Sequence, residues 1–164
     1  MIKALCWVLV VVVADQLTKL WVVGVFLPYE SKEVIPGFFN LAFVTNTGAA
    51  FGILAGEQNI WRQLFFVGVA GVALVVLVGA FRQYRNRGAL HVAAIIMVAG
   101  GALGNLIDRL RLGHVIDFLD FYYRTHHWPA FNLADSAITV GVGLFLLATI
   151  REPEPTEMGS ETHE

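Results

Sequence analysis

The sequence predicts a membrane protein, mainly α, with four transmembrane helices and a small β-sheet at the membrane surface. Three observations predict it. Of 164 residues, 57% are hydrophobic and only 15% charged, with a mean hydropathy of +0.66, a balance soluble domains of this size rarely show. Four apolar stretches run over residues 4–27, 61–81, 89–107 and 133–150, each about 17–25 residues and so long enough to cross a hydrocarbon core. Between the first two lies a short segment rich in aromatic and β-branched residues.

The first span carries Lys3 and then an apolar run, like a secretory signal peptide. Asp15 and Lys19 interrupt that run, and no small-x-small site follows Leu27, so the segment reads as a retained span. Asp15 and Lys19 stand at i,i+4, acid first, on one helical face. Charges in a span are costly and face a partner or a wet cavity. A structural ion pair and a role in substrate positioning or proton traffic both fit. Cys6 is the single cysteine, which excludes an internal disulfide. Leu5 before it is not the small residue of a lipidation site.

In the connection 28–60, Pro36-Gly37 is a turn signal. Phe38 to Asn46 (FFNLAFVTN) reads as a strand too apolar for open water. The following NTGAAFGILAG has three glycines, which allow close backbone approach.

The loop FRQYRNRG carries Arg82, Arg85 and Arg87. Basic residues tie at five on each side, but this short dense loop is the stronger positive-inside signal. It places both termini in the cytoplasm, with 28–60 and 108–132 on the far side. The acidic, Pro-containing stretch 151–164 is expected to be disordered.

The third span ends GGALGNLIDR. Gly100 and Gly104 have the small-xxx-small spacing that lets helices approach. Gly101, Asn105 and Asp108 share a face, with Arg109 one turn beyond Asn105. Arg109 suits gripping carbonyls or a carboxylate; snorkelling or pairing with Asp108 is the plainer reading. Asn132, three residues before Asp135, reads as an N-cap with an acid in the first turn. The helix N-terminus favours a carboxylate there, so capping alone would explain Asp135.

Asp117 lies in VIDFLDF, where either it or Asp120 must meet apolar surroundings. Two carboxylates brought together share a proton and split their pKa values. One then activates water and the other polarises a carbonyl, which is acid–base peptide hydrolysis. Capping is expected to keep Asp135 the more acidic member. Which two of Asp108, Asp117, Asp120 and Asp135 act together stays open on the residues alone. No basic block suggests nucleic acid. There is no HExxH, and His126-His127 are adjacent, so no metal site is expected. Ser136 with Lys19 is the one Ser–Lys alternative. The rival class is a small proton-relay or transporter protein, which also carries intramembrane charge.

Five motifs in order, DQLTK at 15–19, NTGAAF at 46–51, GGALGNLIDR at 100–109, VIDF at 115–118 and FNLAD at 131–135, resemble those of the bacterial lipoprotein signal peptidases, the type II signal peptidases. The match runs to about Ile150. The resemblance implies an intramembrane aspartyl peptidase that cleaves prolipoproteins just before a diacylglyceryl-modified cysteine, with Asp117 and Asp135 as catalytic dyad. It implies that Asn46, Asn105, Arg109 and Asn132 support or bind substrate, and that Asp15, Lys19 and Asp108 are structural. It further implies one peptidase domain over 1–150, a multi-pass location in the bacterial cytoplasmic (inner) membrane, membrane lipids as surroundings and inhibition by globomycin. No cofactor is implied, and a monomer is expected. The family fold has a sheet cradle and a short helix on the outer side. Phe121 to His127 are the expected position of that helix, as a cover over the dyad.

Overall fold

The computed structural model describes residues 2–48 and 59–151. The glycine-rich run after Gly48 and the tail after Arg151 lie outside the described residues. Four helices form: α1 (Ile2–Val25), α2 (Ile60–Tyr84), α3 (Ala89–Leu112) and α4 (Leu133–Ile150). All four are long and apolar enough to cross a membrane. Their large apolar side chains point outward: α2 buries no residue at all, and Trp61, Val72 and Val75 are exposed. In water such a surface would be untenable, whereas in lipid it is solvated.

α3 is the central helix and packs on α1, α2 and α4. Its glycines make that possible. A Cβ at Gly101 would collide with the Ala134 carbonyl oxygen, and one at Gly104 would stand 2.5 Å from Asp15 Oδ2. The small-residue face therefore brings α1 and the start of α4 against α3 at one level.

The third helix runs a turn further than its apolar stretch predicts. Gly113 (φ 77°) stops it in the left-handed conformation, donating its N–H to Arg109 O at 3.1 Å. Asp108 and Arg109 thus sit on the helix, as the facial spacing of GGALGNLIDR predicts.

The sheet has four antiparallel strands in the order β1 (Ser31–Ile35), β2 (Phe39–Asn46), β3 (Val115–Tyr123), β4 (His126–His127). The predicted strand at 38–46 is β2. β3 was not foreseen. Residues 115–118 are all buried, so the alternation that marks a half-exposed strand is missing. Ile116 and Phe118 pack with Val22, Phe26 and Phe43, seating the sheet on the end of α1.

The expected helical cover at 121–127 is corrected. Phe121 to Tyr123 end β3, a turn follows at Arg124 (φ 56°), and His126-His127 return as β4. Phe121 is held between two rings, Phe39 of β2 at 4.8 Å and Phe131, which bridges to Leu119, at 5.8 Å between centroids. Cross-strand aromatic packing outweighs any helical preference here.

Candidate active site

α4 begins where α3 and β3 end, and the site is built at that corner. Asn132 caps α4: its Oδ1 accepts from Asp135 N at 3.0 Å, while Asp135 Oδ2 accepts from Asn132 N at 3.2 Å. This is the reciprocal box that the spacing predicts. The same Asn132 turns its amide to β3, with Nδ2 donating to Asp117 Oδ1 at 2.7 Å. One asparagine therefore bonds to both acids.

The rest of each carboxylate is also held by neutral N–H groups. Asn46 Nδ2 donates to Asp117 Oδ2 at 3.0 Å, and Asn105 Nδ2 to Asp135 Oδ1 at 2.8 Å. A bulge in β2 between Leu41 and Val44 sets Val44 opposite Asp117. The backbone of Phe43 turns away there to bond Tyr29 and Glu30, and such bulges re-aim neighbouring side chains. Asp117 is almost fully buried, while Asp135 is half-buried. Burial, then the Asp135 charge, pushes the Asp117 carboxyl up to about 7, against the pull of the Asn46 and Asn132 amides and of Lys19.

Beneath this pair lies a second polar cluster. The Lys19 ammonium donates to Asp15 Oδ2 at 2.8 Å, Asp108 Oδ2 at 2.9 Å and Asn105 Oδ1 at 2.9 Å. That uses all three of its N–H bonds. The Ser–Lys alternative therefore fails: Ser136 Oγ donates instead to Asn132 O at 2.9 Å.

Of the four acids left open by the sequence, three-dimensional partners separate two. Among the described residues, Asp108 pairs with Lys19, and Asp120 pairs with His127 Nδ1 at 2.8 Å and accepts from Asn40 at 2.9 Å. Among the described residues, the partners of Asp117 and Asp135 are asparagine amides and backbone. His127 is thereby occupied, and no group of three metal-ligating residues exists among the described residues.

Arg109 does not pair with Asp108. It donates to the carbonyls of Gly48 (3.2 Å) and Asn105 (3.4 Å) and stacks over Phe66 at 5.2 Å. Two residues were missed. Gln16 Nε2 donates to Asp108 Oδ1 at 2.9 Å and to Gly104 O at 3.2 Å, bracing the cluster. Gln63 Nε2 donates to Arg109 O at 2.9 Å, tying α2 to α3. The signal for Gln16 was an uncharged polar residue beside Asp15 in an apolar span; for Gln63 there was none.

Comparison with known proteins places this corner in context. The family described as signal peptidase (SPase) II matches residues 7–151. The chain is 51% identical over 142 residues to the lipoprotein signal peptidase of Syntrophotalea carbinolica, covering 87% of each. It is 50% identical over 140 residues to that of Geobacter sulfurreducens, covering 85% of this chain and 86% of the other. A bacterial membrane enzyme solved by the in meso method at 2.3 Å superposes with TM-score 0.83 and 33% identity, covering 97% of this chain and 94% of the other. A second one, solved at 1.9 Å, gives TM-score 0.78 and 35% identity over 93% and 96%.

Proposed function

The chain belongs to the signal peptidase II family of membrane peptidases, which remove signal peptides from prolipoproteins, and we propose that it cleaves with Asp117 and Asp135 acting on one water. The observation that carries this reading is Asn132, bonded to both acids at once. Asp135 carries its negative charge at a helix N-terminus, where dipole and backbone donors suit a carboxylate. It takes the proton of the attacking water. Asp117, buried and with its value raised to about 7, enters protonated and gives its proton to the scissile carbonyl oxygen. Collapse of the tetrahedral intermediate then passes the proton from Asp135 to the leaving amine and returns one to Asp117.

Asn46, Asn105 and Asn132 hold the pair with donors that bring no charge of their own. Arg109 fixes the strand-to-loop backbone at Gly48 and supplies the positive edge of the substrate groove. Residues 1–150 work as one peptidase domain in a multi-pass inner-membrane protein. The dyad sits at the C-terminal end of α3, opposite the Arg82/Arg85/Arg87 loop that precedes it. By the positive-inside rule that loop is cytoplasmic, which puts the site at the outer face and both termini inside. A substrate whose cysteine carries two acyl chains stays in the bilayer, so lipids and the diacylglyceryl prolipoprotein are the partners. A globomycin-type peptide would compete for the groove, and the protein works as a monomer.

The test is turnover of a diacylglyceryl peptide by purified protein in detergent. Asp117→Asn and Asp135→Asn should each lower kcat by about a thousandfold or more, within the range for lost acid–base catalysis, while still inserting. Normal turnover by either would remove the assignment.

A further inference from the structure

The two polar networks are joined through backbone as well as side chains. Asp15 Oδ1 accepts from Ala134 N–H at 3.0 Å, and Asp108 Oδ2 accepts from Ile116 N–H at 3.2 Å. Ala134 directly precedes Asp135, and Ile116 directly precedes Asp117. Each N–H needs such a partner. Ala134 lies in the first turn of α4, where no intrahelical acceptor exists. At Ile116, among the described residues, no strand covers the side of β3 away from β2: β4 pairs with Tyr122 and Tyr123, and Phe131 bonds Phe118 and Leu119.

The same ammonium grips both carboxylates, 2.8 and 2.9 Å away. It also settles the amide of Asn105. An ammonium only donates, so the Asn105 oxygen must face Lys19, which leaves Nδ2 for Asp135 at 2.8 Å. We propose that Asp15, Lys19 and Asp108 form a two-armed positioning clamp, one cation fixing the spacing of two carboxylates that each hold the backbone one residue ahead of a reacting aspartate. None of the three touches the substrate. They act through Ala134, Ile116 and Asn105 on the distance between the dyad carboxyls, and a misplacement near 1 Å costs about a hundredfold in rate. The clamp rests on the reading that Asp117 and Asp135 do the chemistry.

Asp108 gives the sharpest test, because two substitutions of similar size differ in whether an oxygen acceptor is kept. Asp108→Asn retains an oxygen for the Ile116 N–H; Asp108→Leu does not. Both are assayed for kcat and KM on a diacylglyceryl peptide, with Asp117→Asn prepared alongside. The clamp predicts that Asp108→Leu loses kcat about ten- to a hundredfold with KM little changed, and that Asp108→Asn recovers most of it. Leu and Asn variants equally impaired, or a Leu variant turning over like the parent, would overturn it. If Asp108→Leu does not insert, Asp108→Asn decides: a folded Asn variant with kcat down a hundredfold also overturns it. If Asp117→Asn turns over, the aspartate reading itself falls; if it is inert while Asp108→Leu is fully active, only the clamp falls.

Discussion

Two carboxylate pairs lie side by side in this molecule and differ in what holds them. Asp15 and Asp108 share a cation, Lys19, whose three donors are all used. Asp117 and Asp135 share an asparagine, Asn132, and are otherwise held by amides. Acids that share a cation have a counter-charge within hydrogen-bond reach and are held rigidly by it. An amide-held pair has unbalanced like charge, which a proton relieves. The contrast divides one continuous hydrogen-bonded network into a part fixed by a cation and a part held by amides, and the proposed chemistry belongs to the second.

The largest effects should come from exchanging these characters. Asp117→Asn removes the proton donor and Asp135→Asn removes the base, and each should abolish turnover with little loss of thermal stability. Lys19→Met should act chiefly on stability, with a smaller fall in kcat through the loosened clamp. It strands two buried carboxylates, a change worth about 3–5 kcal/mol, and should be read as a large drop in Tm in detergent. A Lys19→Met protein as stable as the parent would break the comparison.

Next in size is the pH response. The folded value of Asp117 lies above its ordinary 3.8, at about 7. Between those values the folded protein binds the extra proton. Its contribution to stability is therefore greatest below about 4 and declines as pH rises to 7, by a few kcal/mol at most. Activity that needs this proton should fall as pH rises through about 7. Unfolding of the parent and of Asp117→Asn at pH 5 and 8 checks the first point: the decline should be absent from the variant.

Smaller again is Asn132→Ser. Serine caps a helix about as well as asparagine, so Tm should change little. The donor to Asp117 is lost, so kcat should fall about tenfold or more while the helix holds. The smallest effect belongs to Asp120→Asn. Asp120 serves His127 and Asn40 on the sheet, and the variant should keep kcat within about twofold.

The four spans were legible because lipid-facing helices need little pattern beyond apolar length, and Asn132–Asp135 was legible because capping is local. β3 was not. It is buried on both sides at its start, so VIDF carries no alternation, and its partner β2 is remote in sequence. Phe121 to His127 were read as a cover because aromatic density gives no period; the strand pairing of Tyr122 with His127 decides it. Asp117 and Asp120 stand three residues apart and so face opposite sides of β3, and what each side meets is set by elements remote in sequence: Asn46 and Asn132 for Asp117, Asn40 and His127 for Asp120. The resemblance named the pair; local sequence physics left four candidates, because their partners come from other elements.

The central claim is that a proton resides on Asp117 while Asp135 carries the charge. Infrared difference spectroscopy of the protein against Asp117→Asn, titrated from pH 5 to 9, reads it directly. A protonated carboxyl band present in the parent, lost in the variant and titrating near pH 7 is the result expected. A parent spectrum with no such band at pH 5, or a band that survives Asp117→Asn unchanged, would contradict it.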